Sequence, residues 1–343
     1  MKKIFLLFAF SCMTRASYAT VLTVYNGTGK SAMYTTFDAA YAAANNGDTI
    51  MLYGSTIAYP VGTDITKSLT IIGPGWAPFD NGSGSNTAVI SSGNGIYVRA
   101  QTAFEGICFA NTVYLYTTGA STSFVRCNMN YLNFQEPCDK VIIKGCILLG
   151  SAYIEGNNNV ISNLIFTNNY VYSGWVIFSQ LDNVSNSNII INHNLFFGGG
   201  SLNGGAKMTY TNNIFVNFNA NATQCSFQEN DFFNCTLPIY VSNNTDAGGN
   251  ITTSPQMTDQ ASVDANTNKP VLDFTIQAGS PAKGAAGDGK DMGLLYDAVT
   301  VSTDNFANCR LSTLPYVSSA KIINSSVQKG TTIIMNVTAN RAF

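Results

Sequence analysis

Between residues 100 and 235 one pattern recurs, and it restricts the possible folds more than any other feature of the chain. An alternating apolar strand runs into a short polar corner, most often holding Asn, and a second apolar strand leaves it. Aligning the corners puts Ile107, Asn128, Cys146, Asn169, Asn194, Asn213 and Asn230 in one column, with spacings of 21, 18, 23, 25, 19 and 17 residues and a mean period of 20.5. Two further columns support the alignment without having defined it. Three residues before the corner stand Phe104, Val125, Ile143, Phe166, Ile191, Tyr210 and Phe227, all apolar. Two after it stand Phe109, Asn130, Leu148, Val171, Phe196, Phe215 and Phe232, apolar in six of seven. The intervening column Glu105, Arg126, Lys144, Thr167, Asn192, Thr211 and Gln228 is polar throughout. Side chains alternate between the faces of a strand, so the first column points into a core and its polar neighbour points to solvent.

A period near 20 is too short for a propeller blade or a helical-hairpin repeat, and the leucine-rich frame L-x-x-L-x-L-x-x-N is missing. The coil of an all-β solenoid fits. Each coil adds a rung about 4.8 Å above the last, so like residues stack on like and corner asparagines can bond along the stack as a ladder. Such a stack needs closed ends, because an open one exposes strand edges and raw core. Residues 36–47 predict an amphipathic capping helix at the N-terminal end. Thr36 is a good N-cap, Asp38 sits in the first turn, Gly47 suits the left-handed position after the helix, and Phe37, Ala40, Tyr41 and Ala44 form one apolar stripe. Beyond Pro315, Val317–Val327 and Thr331–Val337 predict two short strands around Lys329-Gly330, a C-terminal β segment or cap.

Two sets of motifs flank the coils. Asn46-Gly47-Asp48-Thr49-Ile50-Met51-Leu52 and Lys67-Ser68-Leu69-Thr70-Ile71-Ile72-Gly73-Pro74-Gly75 precede them, and Ala278-Gly279-Ser280-Pro281-Ala282-Lys283-Gly284 with Asp291-Met292-Gly293 follows. With the coils between, residues 34–296 resemble pectate-lyase-like proteins of the pectin lyase superfamily. The resemblance implies a right-handed parallel β-helix. It identifies a scaffold shared by enzymes and non-enzymes, not a reaction.

Lys2 and Lys3, the apolar run Ile4 to Phe10, and Ser17-Tyr18-Ala19 have the form of a secretory signal peptide cleaved after Ala19. Cys12 offers lipidation as the alternative, against which the bulky Phe10 stands. The expected organisation is a signal peptide over residues 1–19, the β-helix with its N-terminal cap over 20–300, and the C-terminal β segment over 301–343. The expected location is outside the cell or in the cell envelope. No apolar run is long enough for a transmembrane helix. Cleavage leaves 14 basic and 19 acidic residues, a net charge near −5, which argues against nucleic acid as a partner. It also leaves seven of the eight cysteines. They form no CxxC or Cys/His cluster, so no zinc site is expected, and no carboxylate cluster points to calcium. Cys127 and Cys146 fall in neighbouring corner columns of adjacent coils, close enough for a disulfide if their side chains converge. No cofactor is implied.

The motifs of known polysaccharide-active relatives are missing: Asn-Thr-Asp with Gly-His-Gly and Arg-Ile-Lys, Trp-Ile-Asp-His, and Gln-Asp-Thr with Asp-Phe-Ile-Phe-Gly. No catalytic residue is assignable. His193, the single histidine, falls in a corner column with Gly106, Cys127, Gly145, Asn168, Asn212 and Glu229, and reads as corner filler rather than a general base. The strongest charged constellation is Glu105, Arg126 and Lys144, in the outward column of three consecutive coils. They could bind an acidic sugar, with Arg126 on its carboxylate and Lys144 as base, or form an exposed ionic ladder. Tyr97, Tyr114, Tyr116, Tyr131, Tyr153, Tyr170, Tyr172 and Trp175 are a further lead, as rings that stack on sugars or as ordinary strand residues. Three functions remain open: a carbohydrate-associated protein whose partner is a polysaccharide, a structural or adhesive surface module without catalysis, and a divergent lyase acting on an acidic glycan.

Overall fold

Each coil is built around a corner that only a left-handed backbone residue can turn. In the computed structural model, Gly106, Arg126, Gly145, Asn168, His193, Asn212 and Glu229 occupy this corner on seven successive coils, with φ between 53° and 65°. The residue that follows has its N–H turned to the interior, where a side chain must accept it. Asn169 N–H donates to Asn194 Oδ1 at 2.9 Å, Asn194 to Asn213 at 3.0 Å, Asn213 to Asn230 at 2.9 Å and Asn230 to Asn250 at 3.0 Å. The side-chain amides repeat the same links at 3.0–3.1 Å and also donate to carbonyls of the preceding coil. The ladder runs on through thiols: Cys146 N–H donates to Asn169 Oδ1 at 2.8 Å and Cys127 N–H to Cys146 Sγ at 3.4 Å.

The described residues are 19–76, 87–116, 121–156, 161–172, 189–203, 208–236, 243–265, 273–296, 306, 316–322 and 335–340. The expected signal peptide lies outside them, Ala19 apart, and so does the Lys329-Gly330 turn. Two eleven-stranded parallel sheets meet at the corner column. The first contains Ala103–Glu105, Ser123–Val125, Ile142–Lys144, Ile165–Thr167, Ile190–Asn192, Thr209–Thr211 and Ser226–Gln228 in that spatial order, and begins at Val21–Val24. The second contains Ile107–Phe109, Asn128–Phe134, Ile147–Gly156, Tyr170–Tyr172, Leu195–Phe197, Ile214–Val216 and Asp231–Phe233. This is the expected parallel β-helix.

Inward columns of the two sheets face each other across the core. In the first, Leu22, Ile50, Ile71, Phe104, Phe124, Ile143, Phe166, Ile191, Tyr210 and Phe227 stand in register. In the second, Leu148, Val171, Phe196, Phe215 and Phe232 do the same. Successive rings stack, with Phe196 and Phe215 centroids 4.7 Å apart and Phe104 and Phe124 5.2 Å apart. A rung-to-rung repeat near 4.8 Å is what makes such stacking automatic.

One coil departs from the sequence alignment by a residue. Val125, not Arg126, pairs with Glu105 and Lys144, and Phe124 rather than Val125 points into the core. The ladder position on this coil therefore belongs to Cys127, not Asn128, which faces outward beside Ile147. Cys127 and Cys146 consequently share one column instead of neighbouring ones, and both are free thiols. Burial pushes the Cys127 thiol up, so both the column and the chemistry favour a neutral thiol.

The expected helix is Phe37–Ala43, shorter than the 36–47 of the sequence reading, and Gly47 lies beyond its end in the following turn. Thr36 Oγ1 accepts from Ala39 N–H at 3.2 Å. Lys67 Nζ donates to the carbonyls of Tyr41, Ala42 and Ala44 at 2.7, 3.2 and 2.8 Å, closing the C-terminal end with a cation as its dipole requires. Phe37, Ala40, Tyr41 and Ala44 are buried in the core, where the helix packs on Val21–Val24, Thr49–Leu52 and Tyr59–Pro60. Near the C-terminus Tyr316–Ile322 pairs antiparallel with Met335–Asn340, while the rest of the two expected strands, over 323–334, lies outside the described residues.

Asn213→Ala removes the acceptor of two ladder bonds and leaves buried amide donors without partners. A loss of roughly 2–4 kcal/mol is expected, read as a fall in the denaturant midpoint. An equivalent loss is not expected for Thr211→Ala on the exposed face, where substitutions cost within about 0.5 kcal/mol.

Candidate functional site

The two outer faces of the helix differ. On the second sheet the outward column Cys108, Ile147, Tyr170, Leu195 and Ile214 is buried in a second apolar layer. Its cover is the segment after the coils: Met257, Phe274, Ile276, Ala282, Ala286, Met292 and Leu294 belong to the same layer, as do Trp76 and Phe306. Tyr170 stacks on Phe274 at 5.2 Å.

Corner residues hold this cover in place. Asn168 Oδ1 accepts the Leu295 N–H at 2.9 Å, Asn212 Oδ1 accepts the Gly287 N–H at 3.0 Å, and the Asn212 carbonyl accepts the Gly293 N–H at 2.8 Å. His193 Nε2 lies 3.1 Å from Asp288 Oδ2. Gly293 has φ of +77°, and a Cβ there would stand 2.7 Å from Ile214 Cδ1, so both backbone and space demand glycine. The Ala278–Gly284 and Asp291–Gly293 motifs thus form a clip, closed internally by Lys283 Nζ donating to Asp291 Oδ2 at 2.7 Å and Ser280 Oγ donating to the Pro255 carbonyl at 2.6 Å.

His193 is a corner residue, as the sequence predicts, with a docking bond the sequence does not reveal. Burial lowers its pKa, and the Asp288 carboxylate beside it works in the opposite direction. A nearly closed environment suits a neutral clip better than a proton shuttle.

Among the described residues, nothing covers the outer face of the first sheet. A cleft of about 570 Å³ crosses it, lined by Ser121, Lys140, Ile142, Asn163, Ile165 and Ile190. A smaller hollow of about 150 Å³ continues past Ala103 and Ser123. Ile165 and Ile190 are 37% and 46% exposed although they stand in register with Ile142. Beside this apolar strip runs a column that is polar except for Val125: Glu105, Val125, Lys144, Thr167, Asn192, Thr211 and Gln228. At the cleft rim Asp139 Oδ1 accepts from Ser162 Oγ at 2.7 Å and Asn163 Nδ2 at 2.6 Å, which lowers its pKa. Lys140 and Asn163 are again left-handed corner residues, so their side chains stand clear of the strands.

Of the expected constellation, Glu105 and Lys144 share the outward column and Arg126 does not. Arg126 stands at the corner, 1% exposed, with Nη1 3.7 Å from Glu105 Oε1. It lies one residue past the strand, at the left-handed corner, and so does not share the outward column. An exposed ladder of three charges is therefore not formed. Among the described residues, no three His, Cys, Asp or Glu side chains converge as a metal site requires.

The tyrosines are only partly a row. Tyr97 and Tyr114 stack at 5.0 Å and Arg99 covers the Tyr116 ring at 4.1 Å, held by Asp64 at 2.5 Å. One face each of Tyr97 and Tyr114 is thus taken by the other ring, and one face of Tyr116 by Arg99. Tyr170 is buried under Phe274, and Trp175 and the Tyr153 side chain lie outside the description.

No family model matches this sequence, and no curated protein does so at a significant level. Among solved structures, the pectate lyase Pel9A matches over 81% of this chain and 96% of its own, with 15% identity and a TM-score of 0.39. No helix among the described residues is long and apolar enough to cross a membrane.

Arg126→Ala leaves Glu105 beside a vacated buried site and should cost roughly 2–4 kcal/mol, whereas Lys144→Ala should stay within about 0.5 kcal/mol. Equal costs in urea unfolding would contradict the separate placement of the two cations.

Proposed function

We propose that this chain is an exported, carbohydrate-associated β-helix that binds a glycan on the open outer face of its first sheet, without cleaving it. The observation that carries the reading is the contrast between the two faces. One is covered by the C-terminal segment, while among the described residues the other keeps an uncovered cleft beside a largely polar column. A sugar ring has an apolar face and a polar edge. Ile142, Ile165 and Ile190 suit the former, and Lys140, Asn163, Thr167 and Asn192 suit the latter. Rungs of about 4.8 Å present this combination repeatedly, which favours a polymer over a single sugar.

Lys140 and Lys144 give the face a preference for acidic glycans, with Glu105 at its edge as a filter against misplaced carboxylates. Arg126 contributes by fixing Glu105, not by touching the polymer. No residue is given a catalytic role. The signal-peptide pattern, with cleavage after Ala19, supports action at the cell surface or beyond.

Affinity electrophoresis against acidic and neutral polysaccharides tests the reading. Retention by an acidic glycan is expected, and Lys140→Ala combined with Lys144→Ala should weaken it about tenfold, the equivalent of one lost charge-assisted contact. Ultraviolet absorbance should reveal no unsaturated product. Binding by no glycan would leave a structural module, and unsaturated product would establish a lyase.

A further inference from the structure

One buried acidic group near the C-terminal cover has no hydrogen-bond partner among the described residues. Asp231 occupies the outward column of the second sheet, in which earlier coils carry Ile147, Tyr170, Leu195 and Ile214. It is 0% exposed, and among the described residues neither carboxylate oxygen has a hydrogen-bond partner. The cover lies against two of its neighbours. Gly293 packs on Ile214 of the preceding coil, and Gly287 packs on Glu229, two residues before Asp231. Below, Ile251 continues the strand stack through a bridge to Asp231. Its register partner Ile214 and its coil neighbour Glu229 are thus both in contact with the cover.

Burial raises the Asp231 pKa from 3.8 to about 7. No neighbouring charge opposes that cause. On its own coil the titratable groups are Glu229, against the cover, and Cys235, whose thiol burial pushes up to about 12. The preceding coils present His193, engaged by Asp288. The cover itself carries Lys283 with Asp291 at 2.7 Å, Lys290 with Asp288 at 3.8 Å, Asp273, whose Oδ1 accepts from the Thr275 N–H, and Tyr296, whose hydroxyl accepts from the Phe274 N–H.

We propose that Asp231 makes docking of the C-terminal cover, residues 273–296, depend on pH: the protonated carboxyl tolerates the cover, and the ionised one is relieved when the cover lifts. In the lifted state the group ionises as an ordinary carboxylate. Between its ordinary value and its docked one, the lifted state has shed a proton that the docked state keeps. The lifted-to-docked ratio therefore rises about tenfold per pH unit across that window and levels off above about pH 7. His193 acts with the opposite sign, because its lowered pKa makes docking weaker as pH falls below its ordinary 6.5. Loosening toward neutral pH thus belongs to Asp231 and cannot be supplied by the histidine.

Hydrogen exchange of the full chain at about pH 5 and about pH 7.5, corrected for the intrinsic pH dependence of exchange, reads this directly. Amides of residues 282–296 are expected to open about a hundredfold more at the higher pH, while ladder amides stay protected. Asp231→Asn should abolish the increase. Asp231→Leu, which continues the apolar column and needs no hydrogen bond, should abolish it too and serves if the Asn variant folds poorly. A flat wild-type profile overturns the proposal, as does a folded variant that keeps the wild-type slope.

Discussion

The architecture depends on a backbone N–H that has no carbonyl to bind. A coil that must turn sharply between two parallel sheets places one residue in the left-handed region, which costs a non-glycine residue about 1–2 kcal/mol. The next amide then points inward. Glycine eases the turn at residues 106 and 145, and asparagine or another polar residue takes it elsewhere. The inward amide still requires an acceptor at a fixed height, one rung away. Asparagine supplies that acceptor and a donor for the coil behind it, so one residue type closes the problem on every coil where it stands. At the end of the ladder the Cys146 sulfur, a weaker acceptor, takes the Cys127 N–H, and the Cys127 thiol donates to the Phe104 carbonyl.

The same corner also decides which face can meet another molecule. A left-handed residue throws its side chain outward, so its column offers a row of polar groups just beyond the second sheet. Asn168, His193 and Asn212 use this row to hold the segment after the coils, which then buries the second sheet's outer face. The left-handed residues at the far edge of the first sheet, Lys140 and Asn163 among them, hold no such cover among the described residues, and Ile165 and Ile190 remain exposed. The functional asymmetry is therefore a consequence of how the coil turns.

Much of this was legible in the sequence, because stacking forces residue columns to repeat. Asn169, Asn194, Asn213 and Asn230 were visible as a ladder, and His193 as corner filler. The alignment slipped at the coil 126–129, where Asn128 imitates the corner residue that is in fact Cys127. That slip placed Arg126 on an exposed face when it is a buried corner cation. Columns of side-chain type tolerate such a one-residue error, whereas the register of hydrogen bonds does not. The clip motifs were recognisable, but their docking was not. His193 meets Asp288 across 95 residues and Asn168 meets Leu295 across 127, and no local pattern encodes contacts of that range. The open cleft was likewise hidden, since Ile142, Ile165 and Ile190 look like core residues until one face is covered and the other is not.

The claim that corner residues both set the coils and fasten the cover is tested most directly by residue-resolved hydrogen exchange at one mildly acidic pH. The amides of Gly287, Gly293 and Leu295 should be protected and should lose protection together when Asn212 is replaced by Gly, which preserves the left-handed turn but removes the acceptor side chain. The ladder amides of Asn194 and Asn213 should keep theirs. Free exchange of the three cover amides in the wild type, or no change in them on substitution, would contradict the account.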